Sequence, residues 1–165
     1  MINQQIKEIL HYSSDTGKIT WLISPKHTTI KVGDRAGCFN KTTGYRSIRV
    51  NGKLYQEHRL AWLLHYGYLP AKDIDHRNGI KTDNRIDNLR EATDAENQQN
   101  RGKRKDNSSG YTGVSFHKPT GKWLSQIAKN GKKYNLGYYD TPELAHEAYL
   151  KAKAELHTFQ PEPRA

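Results

Sequence analysis

A chain of 165 residues with 34% apolar side chains and a mean hydropathy of −0.97 has material for one ordinary domain or two small ones, with small cores under a large polar surface. Its net charge of +10 and pI near 9.6 suit a polyanionic partner, and without lipid-attachment motifs nucleic acid fits better than a membrane surface. The single cysteine, Cys38, excludes an intramolecular disulfide and a thiolate zinc site, so any metal must be held through oxygen or histidine, and no apolar run reaches the roughly 18 to 20 residues of a membrane span.

The N-terminus lacks the basic-then-apolar order of a signal peptide, which predicts a soluble protein that stays in the compartment where it is made, the cytoplasm. Ile2, Ile6, Ile9 and Leu10 share one face at helical spacing and predict a helix over 2–12. Turn residues Ser13 to Gly17 end it, and Lys18–Leu22 follows as a strand. After a Lys-, Thr- and Gly-rich stretch without clear period, Gly44–Val50 alternates and Asn51-Gly52 marks a hairpin turn into Lys53–Glu57. Arg46 and Arg49 lie on opposite faces of that hairpin, so at least one can reach a phosphate. His58–Tyr66 reads as a helix burying Leu60, Leu63 and Leu64, capped by Gly67 and stopped by Pro70. Its histidines, His58 and His65, and its Trp62 read as core or surface residues rather than as metal ligands or base-stacking groups.

From Ile74 to Arg101 the chain is crowded with carboxylates and amides around one histidine, and poor in core material: a stretch suited to chemistry more than to packing. It reads as a short strand, an Asn78-Gly79 turn, an irregular run through Asn88, and a helix begun by a capping box of Thr93 and Glu96. Residues 98–110 hold no apolar side chain and put four positive charges between Arg101 and Lys105, which predicts a linker. Beyond it lie three strands, Tyr111–His117, Lys122–Lys129 and Lys132–Tyr138, with turns at Pro119-Thr120-Gly121 and Asn130-Gly131. A helix follows over about 142–157, with Thr141 as N-cap, Pro142 as first residue, and Leu144, Ala145, Ala148, Tyr149, Ala152 and Leu156 as its buried stripe. Alternation leaves Thr112, Ser115, His117, Gln126, Lys133 and Asn135 on the polar outer face of the sheet. Charge runs in blocks: +5 over residues 1–57, −1 over 58–100 and +6 over 101–165, basic flanks around a slightly acidic centre.

The run IDHRNGIKTDNRIDNLREATDAENQQN, preceded by HRLAWLLHYGYLP, resembles the HNH endonucleases of phage and intron-encoded homing type, in the H-N-N variant with asparagine in the third position. Asp75-His76, Asn78-Gly79, Asp83-Asn84-Arg85, Asn88-Leu89-Arg90 and Glu96-Asn97 all fall in register, and the resemblance covers roughly residues 10–101. The segment from Gly110 to Tyr149 is similar to the AP2 DNA-binding domain. Together these imply an α+β chain: a ββα-metal nuclease module over 1–100, a basic linker over 101–109, a three-stranded antiparallel sheet with one helix over 110–158, and a tail over 159–165.

The resemblance implies roles residue by residue. Asp75 and Asn97 ligate a divalent metal, Mg2+ before Mn2+; His76 is the general base that activates water; Asn88 fixes the His-bearing loop. Two oxygen ligands suit a hard cation that keeps waters and takes a phosphate oxygen. A neutral imidazole near its ordinary pKa of about 6.5 can accept the water's proton. Regular strand alternation sends Asp75 and His76 to opposite faces, so they converge only where the strand ends or twists. Plant AP2 domains read DNA through arginines and tryptophans on the sheet, where this chain has Thr112, Ser115, His117, Gln126, Ala128, Lys133 and Asn135, so the fold and DNA-binding role carry over and the base specificity does not. Lys133, His117 and the run Arg101, Lys103, Arg104 and Lys105 are candidates for phosphate contacts. The expectation is a monomeric, metal-dependent endonuclease acting on double-stranded DNA in the cytoplasm, that of the host if a phage encodes it, without a membrane or small-molecule cofactor. A non-catalytic AP2-type regulator on a vestigial HNH scaffold, and an RNA-directed protein, are the alternatives.

Overall fold

The structure, a computed structural model, describes residues 2–100 and 107–159. It divides into two compact units, Met1–Ala92 and Thr93–Ala165, so the division falls ahead of the basic run and assigns the helix that follows Thr93 to the second unit.

The first unit wraps three small sheets around one helix. Its order is α1 (Ile2–Ile9), β1 (Leu10–Ser13), β2 (Lys18–Trp21), β3 (Cys38–Phe39), β4 (Arg46–Val50), β5 (Lys53–Gln56), α2 (Glu57–Tyr66), β6 (Asp73–His76), a 3-10 turn at Ile86–Asn88, and β7 (Leu89–Ala92). β1 pairs with β2, β4 lies between β3 and β5, and β6 pairs with β7, all antiparallel. Leu60, Ala61, Trp62 and Leu63 of α2 are buried against Ile6, Leu10, Ile19, Ile48, Val50, Ile74 and Leu89, so residues from all three sheets share one core. Helical period alone extends α1 to residue 12, but the chain leaves the helix at Leu10: Leu10 pairs with Trp21 and Tyr12 with Ile19. Leu10 is buried in the strand as it would be in a helix, and the strand in addition satisfies the backbone of β2. The Asn51-Gly52 turn closes β4 on β5 with φ of 48° and 80°, the two positive values that a two-residue primed turn demands.

The predicted helix of residues 58–66 begins one residue earlier, at Glu57, whose carboxylate is wholly buried. Arg46 meets it at 2.9 Å and Arg35 at 3.4 Å. Burial still holds the Glu57 carboxyl above the usual carboxylate range, against both guanidinium groups.

In the second unit α3 (Asp94–Gln99) precedes β8 (Val114–His117), β9 (Lys122–Lys129), β10 (Lys132–Tyr139) and α4 (Pro142–Leu156), with β9 central in the antiparallel sheet. The capping box is present: Thr93 Oγ1 accepts from Glu96 N, and the Glu96 carboxylate accepts from Thr93 N at 2.8 Å. Thr141 Oγ1 likewise accepts from Leu144 N, and Pro142 opens α4. Ala145, Tyr149 and Lys153 are the buried residues of α4, and Leu144, predicted inward, is 49% exposed. The Lys153 ammonium replaces it in a role that hydropathy does not suggest, donating to Gln99 O at 2.7 Å at the end of α3.

Candidate active site

β6 and β7 form the hairpin that carries the site. Asp75 stands opposite Arg90 and His76 opposite Leu89. Alternation puts Ile74 and His76 on the buried side and Asp73 and Asp75 on the other, as period two requires. His76 is the last residue of β6 and is 4% exposed. Asp75 is clamped from across the hairpin: its Oδ2 accepts from Arg90 Nε at 2.8 Å and lies 2.7 Å from Nη2. Asp75 and His76 are thus neighbours at the end of β6 whose side chains lie on opposite sides of the hairpin, so the strand itself does not bring about the expected convergence.

The connection from residue 77 to 85, ahead of the 3-10 turn, has no helix or strand and is held largely by side-chain amides and carboxylates. Asn88, buried, accepts from Asn78 N at 3.0 Å through Oδ1 and donates from Nδ2 to Asp83 O at 2.7 Å, tying the two ends of the loop together. Asn88 O accepts from Arg77 N, and Gly79 N donates to His76 O, which turns the chain directly behind the histidine. Asn78 Nδ2 donates to Asp83 Oδ2, and Arg85 grips the same carboxylate at 2.6 and 2.8 Å. The Arg85 hydrogen bonds hold the Asp83 carboxyl down at about 2. Asn84 then faces inward, 1% exposed, with Oδ1 3.0 Å from His76 Nε2.

Rings wall the histidine on its other sides. His58 stands edge-on to it with centroids 5.3 Å apart, and Tyr45 lies 6.0 Å from His76 and 5.2 Å from His58. Lys81 from the loop closes over the Tyr45 ring at 4.6 Å and donates to Thr43 O. Enclosure sets the charge states. Burial drives His58 down to about 3, aided by His76 and Arg59. Burial also lowers His76 below its ordinary value, outweighing the opposing hydrogen bond to Asn84 and the nearby Asp75 and Asp83, so the imidazole is neutral at physiological pH. Tyr45 is raised by burial and by Asp75 and Asp73.

The remaining predicted site residues are distributed as follows. Asn97 is half-buried in the first turn of α3, in the second unit. Arg46, read as a phosphate contact, is turned inward: it pairs with Glu57 and donates to Gly37 O at 2.8 Å. Arg49 is the exposed arginine of the hairpin. Arg101, Lys103, Arg104 and Lys105 lie outside the described residues. Ser115, Lys133 and Asn135 are exposed on the sheet, and His117 and Gln126 are half-exposed. Register aligns Asn135 with Gln126, Lys133 with Ala128 and Ser115 with Leu124 on one face. Thr112 precedes β8, its carbonyl 3.2 Å from His146 Nδ1. A bulge between Asn135 and Gly137 brings Tyr138 into line with Leu124 and against His117, centroids 4.9 Å apart, on the face that simple alternation denies it.

Asn84, His58 and Tyr45 were absent from the predicted set. Asn84 carried a signal, standing in the register of the motif, whereas nothing in a helical His58 or a strand-edge Tyr45 announces a neighbour far along the chain. Among the described residues no three His, Cys, Asp or Glu side chains gather into a metal cage. Asp75, which Arg90 engages through Oδ2, is a carboxylate of the type that hard cations take.

An HNH endonuclease family model matches residues 55–99 and an AP2 domain model residues 109–158. Protein 3.8 of Escherichia phage T7 is 32% identical over 106 residues, 64% of this chain and 87% of that protein. APETALA2-like protein 2 of Oryza sativa subsp. indica is 47% identical over 45 residues, 27% of this chain and 10% of its own length, so the shared part is about a tenth of that protein. Among solved structures, the one titled "DNA binding and cleavage by the HNH homing endonuclease I-HmuI" superposes with a TM-score of 0.41 at 24% identity, covering 91% of this chain and 88% of the other.

Proposed function

The chain belongs to the HNH endonuclease family and carries an AP2 domain behind its HNH segment, and from that premise we propose that it is a metal-dependent endonuclease that hydrolyses a phosphodiester bond of duplex DNA. The observation that carries this reading is the neutral, buried His76, hydrogen-bonded by Asn84 on a loop that Asn88 ties shut, next in sequence to a carboxylate.

His76 accepts a proton from water as the water oxygen bonds to phosphorus and the bond to the 3′ oxygen breaks; the departing oxygen takes its proton from solvent. Asn88 keeps the loop, and so the imidazole, in place. In the first unit Asp75 is the oxygen donor for a hard divalent cation, Mg2+ above all; Asn97, the second donor that the H-N-N pattern implies, is carried on α3. When bound, such a cation stabilises charge developing on the phosphate and the leaving oxygen. The polar sheet face with Ser115, His117, Gln126, Lys133, Asn135 and Tyr138 meets duplex DNA and positions the nuclease, and Arg49 contributes from the first unit. One chain offers one such histidine, which favours a monomer that nicks one strand.

The test is incubation of supercoiled duplex DNA, including DNA from the protein's own source, with Mg2+ or Mn2+. Open-circle product that requires the metal, vanishes in EDTA and vanishes in His76→Ala is the expected result, and linear product would replace nicking by double-strand cleavage. DNA binding without cleavage of any substrate would leave a non-catalytic DNA-binding protein.

A further inference from the structure

Resting on the reading of His76 as general base, we infer that Asn84 is a positioning residue that fixes which nitrogen of His76 receives the proton. Its Oδ1 can only accept, so at 3.0 Å it holds the Nε2 nitrogen as the N–H donor. The lone pair of the neutral ring is thereby on Nδ1, the nitrogen that takes the proton from water. The bond to Asn84 acts on both tautomer and ring rotation, as a carboxylate or carbonyl does wherever it orients a catalytic histidine.

The structure around Asn84 is organised to keep that oxygen in place. The residue is 1% exposed, and its own Nδ2 has no hydrogen-bond partner among the described residues. A buried amide with an orphaned donor costs stability relative to an apolar side chain of similar size, so packing alone does not account for it. Its backbone is fastened by a separate element: Tyr12 OH of β1 donates to Asn84 O at 2.7 Å, and Ser14 O accepts from Ile86 N. The turn at Gly17 lies so close that a Cβ there would stand 2.5 Å from Arg85 N and 2.6 Å from Asn84 C. The β1–β2 hairpin is thus a brace behind Asn84, and the line of support runs from Tyr12 through Asn84 to the imidazole.

The measurement is the 15N spectrum of the His76 ring at one mildly alkaline pH, with single-turnover cleavage, DNA affinity and thermal melting, in the wild type, Asn84→Leu, Asn84→Asp and Tyr12→Phe. The wild type should show the Nε2–H tautomer. Asn84→Leu should lose that single tautomer and cleave about 10- to 100-fold more slowly, with DNA affinity within about twofold of the wild type. Asn84→Asp, which keeps the acceptor, should restore the tautomer. Tyr12→Phe, which leaves the side chain of Asn84 intact, covers the case in which Asn84→Leu does not fold, and should slow cleavage without weakening DNA binding. Nδ1–H in the wild type, or an unchanged tautomer and rate in Asn84→Leu, would overturn the inference; with Asn84→Leu unfolded, an unchanged rate in Tyr12→Phe would do the same. Cleavage surviving in His76→Ala would instead remove the reading beneath it, and that outcome is separable because the tautomer is read without turnover.

Discussion

At the scale of single residues, the site is a study in how enclosure sets charge. His58 and His76 are buried ring against ring, and either one, on taking a proton, places a cation where solvation is poor. In the folded chain His58 titrates at about 3, whereas an unfolded histidine takes its proton near its ordinary value of about 6.5. Unfolded chains therefore bind more protons between these values, so stability is complete above the upper one and declines as pH falls toward the lower. Urea midpoints measured down this range should drop, and His58→Phe, which cannot titrate, should flatten part of the decline. A second contrast lies in the hairpin arginines. Arg46 neutralises the buried Glu57, and Arg46→Ala should destabilise the chain by about 3 kcal/mol because it strips a buried charge of its nearest partner. Arg49→Ala should cost less than about 0.5 kcal/mol and instead weaken DNA binding. Denaturation and filter binding on the two variants should give opposite patterns.

At the scale of elements, the histidine closes strand β6 and its side chain is held by the loop that follows, and loops made of short polar side chains hold their shape through dense hydrogen bonding. The network of Asn78, Asp83, Arg85 and Asn88 supplies that from within, and the β1–β2 hairpin supplies it from outside. Gly17 is where the two meet. It sits at φ 68°, a left-handed conformation, with the backbone of Asn84 and Arg85 against its α-carbon. Gly17→Ala is therefore strained twice, by backbone and by contact, and should lower the melting temperature by several degrees, the equivalent of about 1 to 3 kcal/mol. Cleavage in the surviving folded fraction should fall as well, which separates loss of the brace from loss of the fold. The Asn51-Gly52 and Asn130-Gly131 turns have positive φ too, but face open space and carry no such burden.

At the scale of the whole chain, net charge of +10 is shared between flanks of +5 and +6, with the histidine-bearing segment slightly acidic. The proposed cation site and a polyanion partner make opposite electrostatic demands, and such segregation of charge suits both. Binding through many phosphates releases many counterions, so affinity for duplex DNA should fall steeply, by about 10³-fold or more between 50 and 200 mM salt if six or more phosphates are contacted. A titration of fluorescent duplex across that range measures the slope, and a flat response would place the basic residues away from the DNA.

What the sequence determined by itself was whatever local chemistry dictates. Thr93 with Glu96, Thr141 with Pro142, the two Asn-Gly turns and the alternation of β8 to β10 each state their structure within a few residues, because capping and turn geometry are satisfied locally. The motif around His76 was legible through its resemblance to a known family, carried by Asp75, His76, Asn88 and Asn97 in register. Tertiary structure alone decided the rest. Leu10 buries itself equally well in helix or strand, so only the partner strand β2 could end α1 at Ile9. Tyr138 changes face through a bulge that no period foretells. Glu57 draws Arg46 away from the surface because a buried carboxylate requires a counter-charge, and Asn84 and His58 meet His76 from positions that are remote in the chain, or silent about direction. Such choices depend on which surfaces are adjacent after folding, and adjacency across the chain is written in no short run of residues.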